Sequence, residues 1–515
     1  MKKLTEDEVL KRLSEPNGAE KLANLNVDPD ALLDTAEGLF IERGAASALL
    51  IRLANKKRLL IKMKENAGLV KAVFGALESE TPKLRRNAAR LMGLIKPEGA
   101  AEALTKALEA EEQRFVRPSM ILAIGLTGGE KERELLENYV VPAPADDTEK
   151  KHFEEESGAV VTALRSLAPH VEHEFTGLDS EWAIELRCPD MLTHQLETEL
   201  TDLGFEPTDI KRDSLKVKTQ NYAGLFEARC FKEALFVIAN GTDAEPEAIA
   251  KRARPFLIKL MESSHTGEAP YRFRTELGLQ CENRAELVKS IAAAVECDKL
   301  QNSPSDYEIE LRIEGNTRSC RLFAKLYTYK DTRFAYRAES IPASMDPSVA
   351  AAVLRLAEEY LSVNARVIDP CCGSGTFLIE RGLLSPCQSL TGVDIAHHAI
   401  DVARRNTALS GVDAKYMVND ILRFVCHRPY DELICNLPFG NRVGTQSSCE
   451  TLYKGLLAKL PELVKKGGIA ILYTMEFTLL KRLIAAQGDK VTLLSQHRTE
   501  AGGLTPMIFI LRVNG

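Results

Sequence analysis

From Ala350 onward the sequence alternates stretches of helical spacing with short runs rich in β-branched residues, and this limits the fold more than any other feature. ARVIDP, SLTGVD, AKYMVND and DELICNL read as strands. AAVLRLAEEYL, TFLIERGLLS and HHAIDVARRNTALSG read as helices before and between them, and LYKGLLAKLPELVKKG and IAILYTM add one more of each. Strands separated by helices in this order pair in parallel, which predicts a Rossmann-like α/β sheet covered on both faces. Such sheets take ligands in the crevice outside the carboxyl ends of their strands. The residues at those ends are therefore the first candidates for chemistry.

The first end carries Asp369-Pro-Cys-Cys-Gly-Ser-Gly-Thr, running from strand to helix. Gly373 and Gly375 allow backbone to approach a ligand closely, and the following helix offers unpaired N–H groups. The loop has neither the lysine of a P-loop nor the third glycine of a dinucleotide fingerprint. Its leading acid would repel phosphate and attract an amino or sulfonium group, which points to S-adenosylmethionine. The second end, TGVD, places Asp394 where a carboxylate accepts two ribose hydroxyls. The third, VND, places Asn419 and Asp420 toward an adenine amino group. Either acid alone would pass for a helix cap, but acids at three consecutive strand ends form a constellation.

The fourth end is Asn436-Leu-Pro-Phe-Gly. Proline and glycine alone would mark a turn. An exocyclic nucleobase amine is a poor nucleophile because its lone pair is delocalised into the ring, so methylating it requires acceptors for its N–H groups. The Asn436 side-chain oxygen and the Leu437 carbonyl supply two, and Pro438 holds that carbonyl outward. Phe439 offers a face for an extruded base and Gly440 leaves it room.

These residues resemble the class I S-adenosylmethionine-dependent methyltransferases with an Asn-(Pro/Leu)-Pro-(Phe/Tyr) motif, and more narrowly the THUMP-containing RNA guanine-N2 methyltransferases. The resemblance implies a cofactor site of Asp369, Pro370, Cys372, Gly373, Ser374, Gly375, Thr376, Asp394, Ile395, Asn419, Asp420 and Asn436. It implies a catalytic motif of Asn436, Leu437, Pro438 and Phe439. FAYRAESIPASMDPSVAAAVLRLA is similar to the segment that caps the cofactor, which implies that role for Ser344 and Pro347. Met345-Asp346-Pro347 stands where relatives commonly have Leu-Lys-Pro. The Leu-Pro-Phe-Gly form followed by Asn441-Arg442-Val443-Gly444 looks closest to the tRNA branch. The implied function is methyl transfer to guanine N2 in RNA, with a tRNA guanosine, acceptor-stem positions included, as the first expectation. Methylation of 23S rRNA guanine N2 or of DNA adenine N6 are the alternative activities, and an inactive RNA-binding scaffold is the alternative of another class. Transfer would be direct, with no metal and no covalent enzyme intermediate.

The rest of the chain has a different pattern. Residues 1–171 read as helices, and ALESETPKLRRNAARLMGLI from Ala76 recurs 31 residues later as ALEAEEQRFVRPSMILAIGL from Ala107, with Arg86 matching Arg117. Paired helices of this kind resemble HEAT repeats, which predicts an all-α solenoid, a non-repeating bundle being the alternative. VPAPADDTEKK reads as an exposed loop and SGAVVTALRSLA as the closing helix. Residues 172–240 follow a β-α-β-α-β order with NYAGLFEARCF as second helix, predicting a ferredoxin-like α+β domain. Residues 241–338, ending in a hairpin within DYEIELRIEGNTRSCRLFAKLYT, predict a second α+β domain, THUMP-like by order and position. Residues 339–515 would form the methyltransferase domain.

Between Arg318 and Arg337, Arg318, Arg321, Lys325, Lys330, Arg333 and Arg337 oppose only Asp331, with Tyr327, Tyr329, Phe334 and Tyr336 interleaved. Such a strip holds phosphates and stacks bases, or is a solvated strand face. On the first reading Arg318, Arg321, Lys325, Arg333 and Arg337 contact RNA together with Gly440 and Arg442. The net charge of -7 leaves any nucleic-acid binding to local patches of this sort. The helical repeats are expected to dock RNA, to dock a protein partner or only to stabilise the chain. The eleven cysteines are odd in number and lack a Cys-x-x-Cys pair, so they read as reduced thiols. An acidic amphipathic start and the lack of a membrane-length apolar run read as a soluble, cytoplasmic protein.

Overall fold

The computed structural model describes residues 4–25, 27–144, 147–168, 171–341, 344–439, 446–500 and 503–515. They fall into two units, Met1–His170 and Val171–Gly515.

The first unit is helical: α1 Glu6–Leu13, α2 Gly18–Ala23, α3 Pro29–Arg43, α4 Ser47–Leu53, α5 Lys57–Glu65, α6 Ala67–Ala76, α7 Pro82–Ile95, α8 Ala100–Ala110, α9 Arg117–Thr127, α10 Glu130–Glu137 and α11 Asp147–Leu167. Local signals set the helix starts. Thr5 and Glu8 form a reciprocal cap on α1, and Asp28 caps α3 with Pro29 at its first position. The pairs α6/α7, α8/α9 and α10/α11 pack side by side, and their second helices stack in the order α4, α7, α9, α11. This is the arrangement the recurrence from Ala76 to Ala107 predicts. Small residues allow the close stacking: a Cβ on Gly125 would meet Ala163 Cα of α11 at 2.6 Å. Glu111, buried after α8, accepts two hydrogen bonds of 2.7 Å from Arg85 of α7. Two expectations shift. ALLIRLANKKRLLIKM is split between α4 and α5, and the loop expected at VPAPADDTEKK yields to α11 at Asp147, where a run of acids favours a helix N-terminus. Ala145 and Asp146 of that stretch lie outside the described residues.

Val171–Gly515 holds two sheets. The first contains β1 Trp182–Arg187, α12 Thr193–Asp202, β2 Pro207–Thr208, β3 Ser214–Thr219, β4 Glu233–Thr242, α13 Pro246–Ser264, β5 Tyr271–Gly278, α14 Arg284–Val295, β6 Leu300–Asn302, β7 Ile309–Asn316 and β8 Ser319–Leu326. Its order is β2-β3-β1-β4-β8-β7-β5-β6. The two α+β segments expected as separate sandwiches thus share one sheet, because β4 pairs antiparallel with β8, Phe236 opposite Ala324. The β7–β8 hairpin lies where its sequence places it. NYAGLFEARCF is not a helix but a single 3-10 turn at Ala223–Glu227. The Asn221 side chain accepts the Gly224 N–H at 2.9 Å, a local bond that competes with a helix.

The second sheet contains α15 Pro347–Leu356, β9 Ala365–Asp369, α16 Thr376–Leu384, β10 Cys387–Asp394, α17 His397–Ser410, β11 Lys415–Val418, β12 Tyr430–Asn436, α18 Gln446–Leu463, β13 Val464–Thr474, α19 Phe477–Ala485, β14 Val491–Arg498 and β15 Met507–Val513. The order is β11-β10-β9-β12-β13-β15-β14, parallel from β11 to β13, with β15 antiparallel to both its neighbours. The chain reverses its direction of travel between β9 and β12, which makes that gap the switch point of the sheet. Helices bury both faces: Val353, Phe377 and Leu378 belong to one core, and Tyr453, Leu456 and Leu460 to the other.

An ion cluster joins the two sheets. Arg229, ahead of β4, donates hydrogen bonds of 2.7 and 2.9 Å to Glu380 of α16, and Tyr336 Oη adds one of 2.6 Å. Glu380 is buried, so its charge depends on these partners. All eleven cysteines carry free thiols. Among the described residues, no helix is long and apolar enough to cross a membrane.

Candidate active site

The switch point gathers the predicted strand ends. β9 closes on Asp369, β10 on Asp394 and β12 on Asn436, while Asn419 and Asp420 follow β11. The loop after β9 is held from three sides. Asp394 accepts the Gly373 N–H at 3.0 Å through Oδ2 and the Ala396 N–H at 2.9 Å through Oδ1, and the Cys372 N–H donates to the Val393 carbonyl at 3.0 Å. Ser344 Oγ bonds Ser374 Oγ at 2.9 Å and accepts the Ile341 N–H. Pro347, also predicted at this site, is buried as the first residue of α15, whose cap is Asp346. Gly373 and Gly375 have φ of +52° and +83°, the left-handed region that glycine tolerates. A Cβ on Gly375 would come within 2.7 Å of Tyr416 Oη, so the close packing also demands glycine.

Asp369 is buried and accepts the Cys371 N–H at 3.1 Å. Burial, reinforced by the Asp394 charge, pushes its carboxyl up to about 8. Such a group is short of a nearby cation. The neighbouring Cys372 and Cys435 thiols are also raised by burial, which leaves both as poor nucleophiles. Ile395 is 72% exposed beside Asp394. The Asn419 N–H bonds the Asp394 carbonyl at 3.0 Å, and Asp420 Oδ1 accepts the Leu422 N–H at 2.9 Å.

At the fourth end, the Leu437 N–H donates to the Tyr473 carbonyl at 2.9 Å, so the motif prolongs β12 alongside β13. Tyr453 Oη bonds the Pro438 carbonyl at 2.9 Å and Thr474 Oγ1 at 2.6 Å. The Phe439 ring lies 6.3 Å from that of Tyr473 and tilts 39° to it. Among the described residues, Asn436 Oδ1 is buried and has no hydrogen-bond partner. Leaving a buried polar atom unpaired costs roughly 1–3 kcal/mol, so the arrangement fits an acceptor held for the N–H of a ligand. Gly440 and Arg442 lie outside the described residues.

Two supporting residues had no motif to reveal them. Asn406 of α17 donates through Nδ2 to the Ser374 and Glu339 carbonyls at 3.2 and 3.0 Å, tying the loop to the lead-in segment. Tyr453 positions the proline of the motif. The signal in both cases is one polar side chain on the buried face of a helix.

The basic strip changes character. Arg333 is buried, with its guanidinium 3.6 Å from the Phe231 ring centroid and bonded to Asp331 and to the Ala228 and Phe231 carbonyls. It is a structural residue rather than an RNA contact. Arg321 faces Glu185 and Glu314 at 3.4 and 3.2 Å, and Lys325 bonds Glu233 at 2.7 Å. Tyr329 packs with Phe175, Tyr222 and Phe226. Arg318 remains exposed, and Arg337 is half-buried with Nε unpartnered among the described residues. Among the described residues, no group of three or more His, Cys, Asp or Glu is placed to hold a metal ion.

Residues 335–500 match the family described as RMKL-like, methyltransferase domain, and residues 70–150 match HEAT repeats. A tRNA (guanine(6)-N2)-methyltransferase of Thermus thermophilus is 30% identical over 171 residues, 33% of this chain and 50% of that protein. One of Methanocaldococcus jannaschii is 24% identical over 34% of this chain and 56% of its own. The chain therefore spans about half the length of the curated relatives it matches. Among solved structures, TrmN from Thermus thermophilus is similar with a TM-score of 0.52 at 21% identity, over 64% of this chain and 99% of that one. SMU.472 complexed with SAH gives a TM-score of 0.53 at 15% identity, over 66% and 99%. At these identities the structural likeness is one of fold.

Proposed function

We propose that the chain is an S-adenosylmethionine-dependent RNA methyltransferase that modifies the exocyclic N2 amine of a guanine in tRNA, acceptor-stem guanosines included. The buried Asn436 Oδ1 beside the Asp369 loop, without a hydrogen-bond partner among the described residues, carries this reading. The tRNA (guanine-N2) relatives and the matched methyltransferase family support it. Asp369 would face the cationic end of the cofactor, and Asp394 and Ile395 its ribose and adenine. Asn419 and Asp420 would complete the adenine side, while Ser344, Pro347 and the 370–376 loop would close over it. Bound S-adenosylmethionine supplies an electrophilic methyl group. Asn436 and the Leu437 carbonyl accept the amine hydrogens and aim its lone pair, Phe439 stacks the base, and Tyr453 keeps Pro438 in place. Positioning of this kind supplies much of the rate. We read residues 241–338 as THUMP-like and Arg318 and Arg337 as its RNA contacts.

Nucleoside mass spectrometry of bulk tRNA treated with the protein and S-adenosylmethionine should reveal new N2-methylguanosine. Methyl groups found only on adenine N6 of DNA would overturn the reading.

Asp369 adds a pH signature. Its carboxyl holds its proton to about pH 8 in the free protein, whereas a cationic ligand favours the carboxylate. Cofactor affinity should therefore rise with pH, by up to about tenfold per unit, and level off above about 8. Below that pH binding should release a proton. Calorimetry in two buffers of different ionisation enthalpy checks this, and Asp369→Asn should flatten the profile.

A further inference from the structure

Of the cations expected to contact RNA from the central sheet, Arg321, Lys325 and Arg333 are engaged by its own carboxylates. In the helical unit most arginines are paired as well: Arg43 with Glu6, Arg52 with Glu20, Arg58 with Asp30, Arg85 with Glu111 and Arg117 with Glu156. Arg86 and Arg90 differ. They stand one turn apart on α7, in line with Lys83, on the side of the helix away from the buried Ala88, Ala89 and Met92. Among the described residues neither has a carboxylate within ion-pair distance. The Arg86 guanidinium lies 5.9 Å from the Phe115 ring centroid, and its Nε is buried without an acceptor. Arg90 loses its proton more readily than an ordinary arginine, through burial first and then the charges of Arg86 and Arg52. Arg86 and Arg90, two like charges with no carboxylate at ion-pair distance among the described residues, form a local excess of positive charge awaiting an anion on a chain whose net charge is negative.

We propose that Arg86 and Arg90, with Lys83 beside them, form a phosphate-binding site on the stacked second helices of the solenoid, and that it takes the phosphodiester backbone of the RNA substrate. The identity of that ligand rests on the RNA reading above. Planar guanidinium forks suit phosphate oxygens, and Arg86 lies over the Phe115 ring at the outer edge of cation–π distance. An acidic peptide is the competing occupant, since Leu122 and Leu126 are exposed on neighbouring α9.

The test uses the full chain and bulk deacylated tRNA in filter binding across a salt series. Arg86→Met with Arg90→Met keeps the aliphatic stems and removes the charges. Binding should weaken about tenfold or more, and the slope of log affinity against log salt should fall by about two. KM for tRNA should rise by the same factor with kcat within about twofold, and Arg86→Lys with Arg90→Lys should retain most of the slope. Unchanged affinity and slope in a variant with an unaltered melting curve would overturn the site. So would a loss confined to poly-glutamate binding, which would assign the surface to acidic peptides. If the double variant loses tRNA binding while the parent chain methylates no guanine, the site stands and the proposed reaction falls. If the parent methylates guanine and the double variant does so equally well at subsaturating tRNA, the reaction stands and the site falls.

Discussion

Asn436→Ala should lower single-turnover methyl transfer about a hundred- to a thousandfold while leaving the dissociation constant for S-adenosylmethionine within a few-fold of the parent. The magnitude is that of removing one preorganised polar group aimed at a reacting centre. The residue sits at the end of β12, where the Leu437–Tyr473 hydrogen bond fixes the backbone on one side and Tyr453 fixes it on the other. Truncation therefore deletes an acceptor without moving the strand. No protein donor loses a partner, because Oδ1 has none among the described residues. Asn436→Asp keeps an acceptor at the same distance and should retain part of the rate. Single-turnover kinetics at saturating RNA isolates the chemical step from binding. A variant as active as the parent would return Asn-Leu-Pro-Phe to the status of a turn.

The second large effect concerns stability. Arg381 of α16 is fully buried and donates to Glu432 of β12 at 2.7 and 3.0 Å, with further bonds to the Ser362 carbonyl and Ser385 Oγ. Arg381→Met removes the cation and leaves Glu432 buried, with the Ser362 N–H at 2.8 Å still donating to it. Breaking such a pair from one side costs about 3–5 kcal/mol. Arg381→Met with Glu432→Met should recover most of that loss, because two packed apolar side chains require no charge to be dehydrated. Urea unfolding followed by fluorescence checks this cleanly. The chain has a single tryptophan, Trp182, buried in the same unit as the pair, so the signal does not report the helical unit. A cost below about 1 kcal/mol for the single variant would place the pair among solvated salt bridges.

The methyltransferase sheet is legible in the sequence as far as β13 because its parallel strands end at polar residues and the helices between them have a clear period. β14 and β15 carry no such mark. VTLLSQHR alternates weakly and is half-exposed along its length, so no face declares itself. In the central sheet the strands β1, β3, β4, β5, β7 and β8 are legible, but their union into one sheet is not. Periodicity marks Glu233–Thr242 and Ser319–Leu326 as strands but carries no information that they pair across the intervening chain. The same blindness misreads the basic strip. Glu185 of β1, Glu233 of β4 and Glu314 of β7 reach Arg321 and Lys325 on β8, the first two distant in sequence, so a run of cations looks free when much of it is neutralised. Asp369, Asp394 and Asn436 stand out because they share a topological position. Asn406 and Tyr453 support them from helix interiors, where one polar residue among apolar ones has many ordinary explanations.

Glu380 gives the central sheet a mechanical meaning. It lies on the helix that begins at the cofactor loop, yet Arg229 and Tyr336 clamp it from the central sheet. A hinge between sheet and loop would have to tear three charge-assisted bonds from a buried acid. The cluster therefore fixes the central sheet against the helix that leads from the Asp369 loop, and on the proposed reading the protein would work as a caliper. On the proposed reading, an RNA seated on the sheet would present whichever nucleotide lies one fixed length away, so a stem lengthened by a base pair should shift the methylated position without changing how tightly it binds.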